Sequence, residues 1–140
     1  MAFIRRTGSE RVSVQFPKVA SVALNVGDAL IADGSGAVTV ATATSTAIIG
    51  ICQKKVASTD ADYASNTMMP VEVIDFNAIY EADVDNTLTT AMVGLRRDLT
   101  DKDSVNATGT THNQVTIVGY ISATKALVMF NSAFQAVNAA

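Results

Sequence analysis

The residues able to carry chemistry are few in this chain. There is one histidine, His112, and one cysteine, Cys52, among 140 residues. Hydrolysis by a serine nucleophile needs a histidine held between a hydroxyl and a carboxylate, and a structural zinc site needs several Cys or His ligands. His112 lies among Thr110, Thr111, Asn113 and Gln114, with no second His or Cys near it, and reads as a solvated loop histidine. Cys52 follows Ile51 in an apolar run and reads as a buried, inert thiol. A lone cysteine also forms no internal disulfide.

Carboxylates come in three close pairs: Asp60/Asp62, Asp83/Asp85 and Asp101/Asp103. Each resembles the opening of a calcium loop, which requires Gly at its sixth position and Glu at its twelfth. Those positions hold Ser65 and Val71, Leu88 and Gly94, and Asn106 and His112, so none of the three qualifies. Paired carboxylates also serve glycoside hydrolysis, but a chain without Trp and with three Tyr has little to grip a sugar ring. Asp33-Gly34-Ser35-Gly36 lacks the Lys-Ser/Thr of a phosphate loop. Asn106-Ala107-Thr108 matches a glycosylation sequon, which has meaning only in a secreted chain. Lys54-Lys55 and Arg96-Arg97 have too few aromatics between them for a base-stacking platform. No motif specifies a reaction, and no catalytic residue, cofactor or metal is expected.

The elements that would position these groups are strands. Val and Thr (17 and 16 residues) outnumber Leu (6), and β-branched side chains suit the pleated sheet. Val12, Val14 and Phe16 alternate with polar residues up to Pro17; Val22, Leu24 and Val26 alternate again. Residues 29–44 read as a hairpin around Asp33–Gly36, and Ala47–Cys52 as a buried strand with Gly50 at a bulge or close approach. Residues 58–67 read as a loop, 70–75 and 78–82 as strands. Asn86 is placed to cap a helical turn that ends at Gly94. Leu95–Asp103 leads into a loop over Ser104–Asn113, and 115–121 with 126–130 close the domain as a hairpin. Residues 131–140 read as a short helix or an extended tail. Glycines inside three apolar runs (Gly50, Gly94, Gly119) have unequal spacing, which excludes a repeat array and fits the bends of a small barrel.

The expected fold is therefore mainly β: one small barrel or sandwich-like domain over residues 19–131, with at most one or two short helical turns. An extended N-terminal arm or first strand (1–18) and a tail (132–140) flank it. The arm carries a local charge of +3 against −6 for the remainder, so Arg5, Arg6 and Arg11 are the candidate contacts to an acidic neighbour. The net charge of −3 speaks against a general nucleic-acid binder. The uncharged run Gly34–Gln53 is 20 residues long, but its Thr-rich period-two alternation marks a half-wet strand and not a membrane span. Thr7–Arg11 stands where a signal peptide needs apolar residues.

Several segments resemble the small decoration (cement, or head-stabilising) proteins of tailed bacteriophages. They are Gly27-Asp28-Ala29-Leu30-Ile31, Asp33–Gly36, the Thr/Ala-rich stretch into Ile48-Ile49-Gly50-Ile51, Val71–Ile74, Ala78–Ala82, Leu88–Gly94 with Asp98-Leu99, Val118–Ile121 and the strand ending at Phe130-Asn131. The likeness covers roughly residues 19–131. It implies a β-rich, non-enzymatic virion protein, made in the host cytoplasm, that sits on the capsid exterior, binds the major capsid protein and its own copies, most often as a trimer, and touches neither nucleic acid nor membrane. It brings no set of site residues with it. Other readings are a different phage component (tail tube, connector or head-fibre base) or a β-barrel binding module, for which Phe76 and Tyr80 offer only a pair of aromatics among acids.

Overall fold

The structure, a computed structural model, describes residues 3–8 and 11–132. Its eleven strands are β1 (Ile4–Arg5), β2 (Ser13–Pro17), β3 (Ala29–Ala32), β4 (Val38–Val40), β5 (Gly50–Cys52), β6 (Met68–Val73), β7 (Tyr80–Asp85), β8 (Arg96–Asp101), β9 (Ser104–Asn106), β10 (Val115–Ser122) and β11 (Lys125–Phe130). One 3-10 turn, Thr90–Met92, is the helical element among the described residues. The mainly-β expectation holds.

The C-terminal half closes into a barrel. Strands run in the order β7-β11-β10-β8-β9, and a parallel pairing of β9 with β7 (Val84 opposite Val105) completes the circle. Strand β1 adds to β7 from outside, Arg5 opposite Tyr80. A second five-stranded sheet has the order β2-β6-β5-β3-β4. Its two edges are drawn together just beyond β2, where Lys18 bridges Val38 and the Val19 amide donates to the Val38 carbonyl at 2.9 Å.

Two clusters of buried side chains follow from strand periodicity. Inward residues of the barrel (Tyr80, Ala82, Val84, Leu99, Val105, Val115, Ile117, Val128, Phe130) merge with Ala29, Ile51 and Ile74 of the second sheet into one core. Their neighbours Leu30, Cys52, Met69 and Val71 point the other way and form a second cluster with Leu24, Val38 and Val56. The inner strands β3 and β5 are thus covered on both faces, which is why they read as unbroken apolar runs. Ile49 and Ile51, two residues apart, enter different clusters, so the strand period slips at Gly50. There the backbones press together: a Cβ on Gly50 would meet Val71 Cγ1 and lie 2.7 Å from the Glu72 carbonyl oxygen. The other two glycines answer different needs. Gly94 has φ +89° as the chain leaves the 3-10 turn, and Gly119 lies at a register shift of β10.

Three sequence expectations are corrected. Val22, Leu24 and Val26 alternate without joining a sheet; Leu24 and Val56 exchange one pair of backbone bonds, and the segment serves as cover for the second cluster. The expected loop Ser104–Asn113 begins with β9, a three-residue strand whose parallel pairing is too short to leave a periodic signal. Asn86 does not cap the helical turn: Thr89 holds that position, and Asn86, at φ +66°, donates its amide to Asn106 Oδ1 and Thr108 Oγ1. The N-terminal segment, read as an arm or a first strand, supplies β1 to the barrel and β2 to the second sheet. The reading of a helix or tail over 131–140 concerns mainly residues 133–140, which lie outside the described residues.

Candidate functional site

The three arginines singled out by charge converge on carboxylates of their own chain. Strand pairing places Arg5 beside Tyr80, and the Phe3 ring packs 4.9 Å from Phe130, whose ring stands edge-on to Tyr80 at 5.1 Å. With the strand anchored, the Arg5 guanidinium turns inward. Its Nη2 donates to Asp75 Oδ2 at 3.1 Å and its Nη1 lies 4.0 Å from Glu72 Oε2. Arg11 reaches the same glutamate from the other side, Nε to Oε1 at 3.7 Å. Arg6 pairs with Glu81 on β7. Arg5 and Glu72 are both buried, whereas the side chains of Arg6 and Arg11 are 54% and 64% exposed. Of the three candidates, only Arg6 and Arg11 retain a face toward solvent.

This junction is bonded further. The Tyr80 hydroxyl accepts from the Asp75 amide at 3.3 Å, and burial pushes the phenol above its ordinary pKa. A hollow of about 220 Å³ beside it is lined by Phe3, Arg5, Arg11, Val26, Gln53 and Glu72, among others. A buried ion pair is costly to desolvate and depends on complete partnering. Here it ties β1 to β6, and so the barrel to the second sheet.

Other polar groups that the sequence left unassigned act in the same way. Lys18 is wholly buried, and its ammonium donates to the carbonyls of Tyr63 (2.7 Å), Val19 (3.0 Å) and Ser65 (3.2 Å), with the Tyr63 ring centroid 5.6 Å away. The Gln114 amide donates to the carbonyls of Ala43 and Ser45, while its oxygen accepts from the Leu99 amide at 2.9 Å, a second tie between the sheets. Asp98 accepts from three successive backbone amides, Thr111, His112 and Asn113, and so fixes the 107–114 loop. A signal for Lys18 was present, since it continues the parity of Val14 and Phe16. Gln114 had none, because its partners lie about 70 residues away in the chain.

The expected loop groups are accounted for individually. His112 sits on the Asp98 loop with Nδ1 4.0 Å from Asp98 Oδ2. Cys52 is fully buried, donates to the Lys54 carbonyl at 3.0 Å, and burial pushes its thiol up to about 11. Asp60 accepts from the Ala57 amide, Asp62 pairs with Lys54, and Asp83 accepts from Lys125 Nζ at 2.6 Å. Asp101 and Asp103 share a hydrogen bond that holds the first below and the second above the usual carboxylate range. Among the described residues no three His, Cys, Asp or Glu side chains gather to hold a metal ion. No described helix is long and apolar enough to cross a membrane. A surface hollow of about 360 Å³, lined by Ile31, Ala32, Thr42, Ser45, Ala47 and Ile49 with two further threonines, carries no ionisable side chain. Tyr80, one of the two aromatics considered for base stacking, is buried in the core, and Phe76 is exposed on the loop beside Asp75. No protein-family model matches the chain, and no curated protein matches it either.

Proposed function

We propose that this chain is a structural virion protein that decorates and braces the outer surface of a tailed-phage head, without catalysing a reaction. The observation that carries the reading is the use of its buried charges. Arg5, Lys18, Glu72 and Asp98 are engaged by groups of the same chain and each joins segments distant in sequence, while the fifth buried charge, Asp28, accepts locally from the Asn25 amide at 2.9 Å. Such groups lock geometry; an enzyme instead aims some of them at a substrate. The resemblance of residues 19–131 to decoration proteins supports the same reading and supplies the partners: the major capsid protein and further copies of this chain. Arg6 and Arg11, still exposed on one side, are the arginines offered to an acidic neighbour.

The test is addition of the purified chain to heads of the encoding phage that were assembled without it. Co-sedimentation in hundreds of copies per head, together with heads that rupture at higher temperature, is the expected result. A single ring of copies at one vertex would identify a connector or tail component instead, and no association at all would refute the proposal.

A further inference from the structure

Asp28 is the least compensated of the buried charges. It is 1% exposed, its Oδ2 accepts one hydrogen bond, from the Asn25 amide at 2.9 Å, and among the described residues no cation lies within ion-pairing distance of it. The others are better served: Arg5 faces Asp75 and Glu72, Lys18 donates to three carbonyls, and Asp98 accepts from three amides. An ionised carboxylate held out of water with one hydrogen bond is costly, and a proton relieves that cost.

The place of Asp28 in the fold couples that proton to a joint between the two sheets. Asp28 immediately precedes β3, and the next amide, Ala29, donates to the Lys102 carbonyl at 2.7 Å. Lys102 is the centre of the turn Asp101–Asp103 between β8 and β9, and Asp101 of the same turn forms a bridge with Thr42. The turn therefore docks on residues 29 and 42, and Asp28 is buried beside the first of these contacts. Titratable and charged groups act on Asp28 from each neighbouring element: Asp101, Lys102 and Asp103 from the turn, Cys52 from β5, and the amino terminus of the chain. Burial first, and then the charge of Asp101, raise the Asp28 carboxyl above its ordinary value, against the Asn25 hydrogen bond, Lys102 and the amino terminus.

We propose that Asp28 makes this joint a pH-sensitive latch: with its carboxyl protonated the β8–β9 turn is clamped on β3, and with it ionised the turn opens from β3 locally, while the ties through Arg5 and Gln114 keep the sheets together. A carboxyl that holds its proton more tightly in the closed joint favours closure fully below the ordinary 3.8, and that contribution is lost as pH rises through the raised value. The latch thus tightens on acidification from neutral pH. Ion pairs elsewhere in the chain weaken in acid, so a probe local to the joint is required.

Hydrogen exchange of the Ala29 amide, followed by NMR on the full chain from about pH 4 to about pH 7 and corrected for intrinsic exchange, reads the latch directly. The reference is the Ala41 amide, bonded to the Ala29 carbonyl at 2.8 Å within the second sheet. Protection of Ala29 relative to Ala41 should fall by roughly threefold or more as pH rises, with its midpoint at the Asp28 carboxyl titration seen by carbon NMR in the same sample. In Asp28→Asn, which keeps an acceptor for Asn25 without the charge, the ratio should stay high and flat. A wild-type ratio that does not change with pH, a midpoint that departs from the Asp28 titration, or a pH dependence that survives in Asp28→Asn would overturn the proposal. The first two outcomes need no variant, and no phage heads enter the experiment, so its failure is separate from failure of the decoration reading.

Discussion

Arg5 is the residue on which the junction of the two sheets depends. Replacing it with Met leaves Glu72 buried with only Arg11 at 3.7 Å and Gln53 at 3.5 Å to balance it. Removing one partner of a buried ion pair costs ~3–5 kcal/mol, so Arg5→Met should lower the melting temperature by roughly 10 °C or more. Arg6→Met, which removes a half-exposed arginine from Glu81, should cost ~1 kcal/mol, well below Arg5→Met, by the same thermal measurement. Cys52 gives a pH signature. Its thiol titrates near the ordinary 9.0 when unfolded and about 11 when folded, so the folded state holds its proton more tightly. The associated stability is complete below pH 9 and is lost as pH rises toward 11, of order 2 kcal/mol by linkage. Thermal melts of wild type and Cys52→Ala should therefore diverge below pH 9 and draw together by pH 11. A difference that stays constant across that window contradicts the buried-thiol assignment.

Among the elements, β5 shows how sequence and packing meet. Its apolar run, Ile48-Ile49-Gly50-Ile51, marked a buried strand with a glycine at a close approach, and the Glu72 backbone lies where a side chain would stand. Gly50→Ala should destabilise by ~1–3 kcal/mol, since overpacking against backbone cannot be relieved by a rotamer change. Shortening the neighbour with Val71→Ala should not restore stability in denaturant titrations, because the Glu72 carbonyl remains in place. Most strands were legible because each repeats its alternation over several residues: β2, β6, β10 and β11 lie within two residues of where periodicity put them. Strand β9 and the cover segment around Leu24 were not, for a common reason. Both are too brief for a period to register: β9 is three residues long and pairs with adjacent β8 (Leu99 opposite Val105) as well as with β7 (Val84 opposite Val105), and Leu24 meets distant Val56 through a single bridge.

At the scale of the molecule, composition foretold a mainly-β domain, and the arrangement of a closed barrel beside a second sheet with a shared core came only from the structure. The charge imbalance of the N-terminal segment drew attention to Arg5, Arg6 and Arg11, but a local count of charge does not distinguish a partner on another chain from Glu72, Asp75 and Glu81 on this one. The shared core and the ties through Arg5 and Gln114 join the two sheets into one body. Whether that body braces a shell is answered most directly by cryo-electron microscopy of phage heads assembled with and without this chain. The account predicts difference density for it on the outer surface, repeated over the whole icosahedral lattice. Density confined to one vertex, to the tail or to the interior, or no difference at all, would contradict it.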